Sequence, residues 1–428
     1  MKKIFLLVKP FLISILVGLV IGLIIGAYQF IMKYVTNLSL YLYSNKTLIN
    51  FIILIICLFI FSIANYFIIK LCPQIDGSGI PSLELGIRKY CKINYKFDVF
   101  GMIINSYISS FIGLPLGSEG PSVVIAGKLS KLVCDITKNK DDDLIPLASG
   151  IGFGCAFLSP LSGLVYAFEE MFHSFKFINL IKGILIILSA FCIEILINKH
   201  FLLSLNNFVE IDFKTSYILI LIMIFDLVIG YLFVKILITL KEFLIKNNKN
   251  ILIKFRSFPL LIITFILNIY FYMYLGSGGL LMKENVINFN LSFIIFILIS
   301  RFLLTIISGT GSVTGGLVVP IMSIGYLIGQ IICLISKNTL SLPIAYFQYY
   351  SLISAIMLFG IITKTPLTSS SLIFTTILRS SNFNLILSLK YSLLPIIIVF
   401  IAIYLSKFTK LDCLYEEQMN LTLKYRKS

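Results

Sequence analysis

Long apolar runs restrict the fold of this chain more than any other feature. Eight of them lie at 11–32, 50–71, 179–197, 216–240, 258–275, 291–308, 345–362 and 391–406. Several reach the ~20 residues that an α-helix needs to cross a bilayer. Charged residues make up only 13% of the chain, whereas a soluble domain carries about 25%. We therefore predict an all-α polytopic membrane protein, embedded in lipid over residues 1–428 as a single domain.

The positive charge is distributed like a membrane topology signal. The net charge is +16, and lysine and arginine gather at 2–3, 241–256 and 424–427. Because cytoplasmic loops of membrane proteins retain such residues, we expect both termini and the 241–256 loop in the cytoplasm, and no nucleic-acid partner.

The N-terminal apolar run resembles a signal peptide, but it is too long and lacks a small-residue cleavage site. It is predicted to be an uncleaved first helix.

The cysteines and histidines do not point to a metal centre. The eight cysteines are scattered singly, and His173 and His200 are not spaced as ligands with them. We predict no metal site, no disulfide framework and no cofactor.

The chain resembles itself at a fixed displacement. Gly-Ser-Gly at 77–79 recurs at 276–278, and Gly-Ser-Glu-Gly-Pro at 117–121 falls, at the same displacement, on Gly-Leu-Val-Val-Pro at 316–320. Ser-Pro-Leu-Ser at 159–162 is echoed by Thr-Pro-Leu-Thr at 365–368. Compositional bias is one explanation, and the repeated architecture of many transporters is the other. The second predicts two inverted repeats, about 40–205 and 215–406, whose broken helices meet at the midplane, followed by a short cytoplasmic tail at 407–428.

Three of the repeated segments place glycines and a proline before an apolar helix. Glycine permits a tight turn, and proline suits the first helical turn, where no N–H is needed. Such helices are expected to begin inside the protein. Their unpaired N–H groups and partial positive charge attract an anion there without a full countercharge.

Two side chains at these helix starts are candidates for a function. Ser78 would place a neutral hydroxyl donor beside the anion, and the alternative is an ordinary capping serine. Glu119 is a carboxylate at the mouth of a buried helix, where charged groups are costly and usually functional. Ionised Glu119 would mimic an anion and occupy its site, and protonation would release it. The alternative is a static helix cap.

Other charged residues fall within apolar runs. Glu169 and Glu170 follow the helix that starts at 160, and adjacent helical residues diverge by ~100°, so one is expected to face the interior and the other solvent. The alternative is a helix end that reaches water. Arg301 is predicted to be structural, with a carbonyl or carboxylate partner, whereas Asp226 and Glu194 suggest no role.

Taken together, the motifs resemble those of the CLC family of chloride channels and transporters. Gly-Ser-Gly-Ile-Pro at 77–81 matches the first anion-site motif of that family, and 117–121 and 316–320 are similar to its second and third. The segment from 157 to 171 resembles the helix that carries the inner proton glutamate. The segment at 411–415 resembles the tail that supplies a pore tyrosine. The resemblance covers about residues 10–418.

This resemblance implies roles for individual residues. Ser78 and Tyr415 would donate to chloride from their hydroxyl groups, and Leu317, Val318 and Gly120 would complete the chloride site. Glu119 would be the outer gate and proton carrier, and Glu170 the inner proton residue.

The chain departs from the family pattern at three positions. Ser118 stands where a basic residue is usual, Val318 where phenylalanine is usual and Cys413 where proline is common.

Chloride/proton antiport is therefore the predicted function, in a homodimer in the bacterial inner membrane. Ser78 is the residue associated with chloride rather than with the fluoride branch. A passive chloride channel is the nearest alternative, and the carboxylate of Glu170 disfavours it because a proton crossing apolar protein needs a titratable relay. A polytopic membrane enzyme is the alternative from another class. It is disfavoured because no His or Cys constellation accompanies the carboxylates.

Overall fold

The computed structural model describes residues 2–172, 175–198, 203, 205, 215–247, 255–283, 290–340, 344–409 and 411–426. Within these residues the regular structure is helical, and the only strand-like pairings are two isolated bridges, Gly77 with Thr314 and Gly117 with Gly316. A bilayer offers no water to backbone N–H and C=O groups, so each helix satisfies them internally. The predicted all-α fold is confirmed.

The helices range from 7 to 43 residues in length. They are α1 (Lys2–Ser44), α2 (Leu48–Leu71), α3 (Ile80–Ile87), α4 (Asp98–Ile112), α5 (Glu119–Ile136), α6 (Leu144–Phe157), α7 (Pro160–Tyr166), α8 (Phe177–Ile197), α9 (Tyr217–Lys246), α10 (Ser257–Leu275), α11 (Leu291–Thr310), α12 (Val318–Leu340), α13 (Ile344–Thr363), α14 (Pro366–Ser380), α15 (Leu385–Ser406) and α16 (Leu414–Arg426). A π-helical turn, Ala167–Phe172, continues α7. At 1.5 Å per residue, a helix as short as α3 covers about 12 Å and cannot cross a bilayer alone.

Eight helical segments in the described part of the chain are long and apolar enough to span a membrane. Seven of them coincide with a predicted apolar run to within one residue or contain it, and the run at 258–275 forms α10. The additional segment is Val318–Lys337 in α12, which serine, glycine and glutamine residues interrupt. Because α12 packs inside the protein, its sequence does not need the continuous apolar surface of a lipid-facing helix.

The helices separate into an apolar exterior and a packed interior. In the apolar windows of α12 and α13, 83% and 94% of the residues are buried, against 17% in α2. Large apolar side chains of α2, such as Phe59 and Phe67, are exposed on its surface. An apolar exterior of this kind is what a bilayer requires, and it leaves the polar residues for the interior.

Arg301 connects three of these helices. It is buried in α11, donates from Nη1 to the carbonyl oxygen of Tyr274 in α10 at 2.7 Å, and donates from Nε to Ser323 Oγ in α12. The predicted structural role with a carbonyl partner is consistent with these contacts.

Candidate functional site

The starts of α5 and α12 are held together by a reciprocal pair of backbone hydrogen bonds. The N–H of Gly117 donates to the carbonyl of Gly316, and the N–H of Gly316 donates to that of Gly117, both at 2.7 Å. A Cβ atom on Gly120 would lie 2.7 Å from the Cα of Gly316, so only glycine permits this approach. Two motifs far apart in the sequence thus meet at one point.

The loop before α3 joins the same point. Gly77 donates to the carbonyl of Val313 and accepts from the N–H of Gly315, each at 2.9 Å. Both Gly77 and Gly79 have positive φ, near 67° and 70°, a conformation that favours glycine. The N-termini of α3, α5 and α12 therefore converge, which is the arrangement expected to attract an anion.

Ser78 is buried within this convergence, with 4% of its surface exposed. Its Oγ accepts from the N–H of Ile80 at 3.4 Å, and its Cβ would be 3.4 Å from a Cβ on Gly120. As an acceptor in this local contact, the hydroxyl keeps its own hydrogen for donation. The capping role and the donor role are thus compatible.

Leu317 and Val318 lie buried at the start of α12. The first N–H groups of an α-helix have no acceptor within the helix itself. Together with the Ser78 hydroxyl, these groups give the convergence a set of neutral donors.

Glu119 is the first residue of α5 and is buried. Its carboxylate lies against Gly117, where a Cβ would collide with it. Oε1 lies 3.2 Å from Ser118 Oγ, whereas Oε2 has no hydrogen-bond partner among the described residues. A buried carboxylate with one unsatisfied oxygen is costly unless it changes partner or protonation state.

Ser118 shares its hydrogen between two acceptors. Its Oγ lies 3.0 Å from Gln29 Oε1 in α1 as well as 3.2 Å from Glu119 Oε1. The Gln29 amide is held by donation from Nε2 to Ser122 Oγ at 2.9 Å. Because a hydroxyl has one hydrogen, Ser118 can donate to Gln29 or to Glu119, but not fully to both. A neutral network thus stands where a basic residue is usual.

A cavity of about 340 Å³ opens beside Glu119. Its lining includes Gln29 and Lys33 from α1, Glu194 from α8 and Lys283. We call it the Glu119 cavity. It adjoins Glu119 and the C-terminal part of α1, which is remote from Lys2.

Glu169 and Glu170 diverge as their adjacency predicts. Glu169 accepts from the N–H groups of Leu367 and Thr368, at 2.8 and 2.7 Å, at the start of α14. Glu170 is buried in the π-helical turn and faces the interior. A π-turn widens the helix locally and is frequent at functional sites. Glu169 therefore caps α14 rather than simply facing solvent.

Glu170 is enclosed by groups from distant parts of the chain. Cys413 Sγ donates to Glu170 Oε1 at 3.3 Å. Glu84 in α3 is buried and close enough for its charge to act on Glu170. Arg88 Nη2 lies 4.0 Å from Glu84 Oε2 and 3.2 Å from Glu416 Oε1.

Tyr415 lies close enough to both Glu119 and Glu170 for their charges to affect it. It is fully buried in the first turn of α16, and its hydroxyl has no hydrogen-bond partner among the described residues. The charges of both Glu119 and Glu170 act on it. A buried hydroxyl without a partner costs about 1–3 kcal/mol, so this donor is available to an anion or water.

The comparison with protein families decides the class of protein. The model of the family described as "Voltage gated chloride channel" matches residues 60–407. The chain belongs to the voltage-gated chloride channel (CLC) family. Because the members of this family transport ions, the enzyme alternative is wrong.

Known proteins agree with this family assignment. The H(+)/Cl(-) exchange transporter ClcA of Vibrio vulnificus (strain YJ016) is 26% identical over 342 residues, which are 76% of this chain and 71% of the relative. ClcA of Vibrio parahaemolyticus serotype O3:K6 is 25% identical over 62% of this chain and 59% of the relative.

Solved CLC structures share the fold. A slow cyanobacterial Cl-/H+ antiporter superimposes with a TM-score of 0.84 at 19% identity, over 98% of this chain and 99% of that one. A CLC-type fluoride/proton antiporter gives 0.76 at 17% identity, over 97% and 98%. The match extends beyond both ends of the family model, so the CLC fold includes α1 and α16.

The sequence motifs marked only some of the residues that the structure groups around these helix starts. The structure brings Ser78, Gly120 and Glu119 together. It also adds Gln29, Glu84 and Tyr166, and the hydroxyl of Tyr166 is buried without a partner beside Glu170. A carboxylate within a buried eight-residue helix was a signal for Glu84. Gln29 and Tyr166 gave no such signal, since a single polar residue in an apolar helix is common.

Proposed function

We propose that this CLC protein exchanges chloride for protons. The observation that carries the proposal is the Tyr415 hydroxyl, which is buried, lacks a protein partner among the described residues and is near enough to Glu119 and Glu170 to interact with their charges. An anion at the converging helix starts would use this donor. A proton moving between the two carboxylates would pass the same region. The ClcA relatives are H(+)/Cl(-) exchange transporters, which supports this assignment.

Each residue has a distinct role in the proposal. The chloride site consists of the hydroxyl groups of Ser78 and Tyr415, the N–H groups of Leu317 and Val318, and the close approach that Gly120 permits. Each is a neutral donor or a backbone group, so the anion is attracted without being held by a full positive charge.

The two carboxylates move the proton. Ionised Glu119 competes with chloride for the helix starts, and protonation removes that competition. Glu170 exchanges protons with the other side of the membrane. Chloride transport therefore rises as Glu119 is protonated. Glu119 is both the gate for chloride and the residue that carries the proton.

The remaining predictions complete the proposal. Residues 40–205 and 215–406 form inverted repeats within one domain, two copies of the chain form a homodimer, and the protein lies in the bacterial inner membrane. Both termini and the tail at 407–428 are cytoplasmic, so the Glu119 cavity opens to the outside. No metal or cofactor takes part, since the transported ions are the only ligands that the chemistry needs.

The test is a paired flux measurement on the purified protein in liposomes. A chloride gradient is imposed, and a chloride electrode and a pH electrode record the same vesicles. We expect chloride efflux to drive protons against their own gradient. Chloride movement without proton movement would instead identify a passive channel, with Glu170 as a structural carboxylate.

A further inference from the structure

A second carboxylate, Glu194, lines the Glu119 cavity, and the proposed antiport mechanism does not use it. Glu194 lies in α8, within a membrane-spanning segment, and is 1% exposed. Ionisable groups at such positions are costly and rarely retained without a partner or a function.

Glu194 is fixed through one of its oxygens. Asn198 donates from Nδ2 to Glu194 Oε1 at 2.8 Å and to the carbonyl of Gly26 in α1 at 3.0 Å. Oε2 has no hydrogen-bond partner among the described residues. A Cβ on Gly26 would lie 3.1 Å from Oε2, so glycine leaves room for the carboxyl group. The side chain is therefore oriented with one oxygen available.

Glu119 and Glu194 meet the same water-accessible space. Each lines the cavity, and each has an Oε2 without a protein partner in the described part of the chain. A volume of about 340 Å³ corresponds to roughly ten water molecules at about 30 Å³ each. Hydrogen-bonded water is sufficient to pass a proton between the two groups without direct contact.

The charged groups around Glu194 do not neutralise it. Lys33 of α1 and Lys283 line the cavity but are exposed, Cys155 of α6 is uncharged when protonated, and Glu119 of α5 has the same sign. No ion pair of Glu194 occurs among the described residues. Its nearest fixed partner is the amide of Asn198, which donates to the carboxyl group whether or not it is ionised.

We propose that Glu194 exchanges protons between the water of the cavity and Glu119, and so sets how readily the gate is protonated. This inference rests on the proposed role of Glu119 as the gate. Glu194 acts through Glu119 and does not contact chloride. The proton that leaves one carboxyl group passes along water to the other, so charge and atoms are conserved at each step.

The test compares wild type, Glu194→Gln and Glu194→Asp in liposomes with the same pH on both sides. Chloride exchange is measured against pH, and the proton flux driven by a chloride gradient is measured in parallel. Glutamine keeps the volume and the contact with Asn198 but cannot titrate. Asp226→Asn is the matched control, because Asp226 is a buried carboxylate of α9 that accepts from Ser354 and does not line the cavity.

For Glu194→Gln we expect the midpoint of the chloride exchange curve to move to lower pH by about half a unit, because a negative charge near Glu119 is lost. The initial proton flux should fall severalfold. Glu194→Asp should restore both, and Asp226→Asn should leave the midpoint in place. In a Glu119→Gln background, Glu194→Gln should add no further change in chloride flux.

The outcomes separate this inference from the proposed antiport. If the wild type moves protons and Glu194→Gln matches it in midpoint and proton flux, Glu194 is a static link between α1 and α8 and the inference is overturned. If the wild type moves no protons, antiport is overturned, and the midpoint alone tests Glu194: a shift supports the inference and no shift overturns it. A further change in the Glu119→Gln background would also overturn it.

Discussion

The two carboxylates at the ends of the proposed proton path have opposite surroundings. Glu119 lines a cavity large enough for several waters and is touched by the neutral hydroxyl of Ser118. Glu170 is packed within a π-helical turn against a thiol, with phenol and carboxyl groups near it. One residue can exchange protons with water directly, whereas the other depends on fixed neighbours.

In the proposed mechanism, this difference gives the two proton groups separate controls. Proton delivery to Glu119 would depend on water and on the hydrogen bonds that compete for its carboxylate. Delivery to Glu170 would depend on the side chains of α3 and α16 that enclose it. Variants of the groups around Glu119 should therefore shift the pH dependence of chloride exchange, whereas variants of the groups around Glu170 should leave that pH dependence in place and change the proton rate.

Glu119→Gln should have the largest effect. The amide cannot ionise and cannot carry a proton, so proton flux should fall to the level of protein-free vesicles while chloride flux continues. Paired chloride and pH electrodes on the same vesicles measure both. Proton pumping by this variant would show that Glu119 is not the proton carrier. The proposed difference between Glu119 and Glu170 in how they receive protons would then be contradicted.

Glu170→Gln should also abolish proton flux while chloride flux persists, because the chloride donors of Ser78 and Tyr415 remain in place. The same paired electrodes apply. A variant that still moves protons would place the inner relay elsewhere, and Glu84→Gln would then be the next variant to measure.

Glu169→Gln is the matched control for Glu170, since it changes the neighbouring carboxylate. Glu169 caps α14 through Leu367 and Thr368, so we expect both fluxes to be retained. The free energy of unfolding should fall by about 1 kcal/mol, because a charged cap at a helix N-terminus is lost. Thermal unfolding in detergent measures the loss of stability. A Glu169→Gln variant that moves chloride without protons would contradict the assignment of proton transfer to Glu170 and of helix capping to Glu169.

Cys413→Ala should slow proton flux by about threefold, because Glu170 loses one hydrogen-bond donor. Chloride flux should persist. Cys413→Ser keeps a donor and should stay close to wild type. The measurement is the initial proton flux driven by a fixed chloride gradient. Equal rates for the alanine and serine variants would mean that the thiol only fills space.

Ser118→Ala and Gln29→Leu should have small and opposite effects. Loss of the Ser118 donor destabilises ionised Glu119, so the midpoint of chloride exchange should move to higher pH. Loss of the Gln29 acceptor leaves the Ser118 hydrogen to Glu119, so the midpoint should move to lower pH. Each shift should be about half a unit, which corresponds to one modest hydrogen bond. Shifts of the same sign would contradict the shared-hydrogen arrangement.

The membrane location and the residues at which the inner helices begin were predictable from the amino-acid sequence. An apolar run of helical length has one stable environment, and glycine followed by proline favours a helix start wherever it occurs, because both effects act within a few residues. The motifs around Ser78 and Glu119 were for that reason readable before any contact was known.

The groups that surround those motifs became known from the packing of the helices. Gln29 meets Ser118 across 89 positions, and Cys413 meets Glu170 across 243. Likewise, Glu194 gained a candidate role only because α8 packs beside α1 and places it in the Glu119 cavity. Such contacts depend on how helices pack, and a single polar residue within an apolar helix does not specify its partner on another helix. The chemistry of each helix start is local, whereas the route to it is a property of the assembled fold.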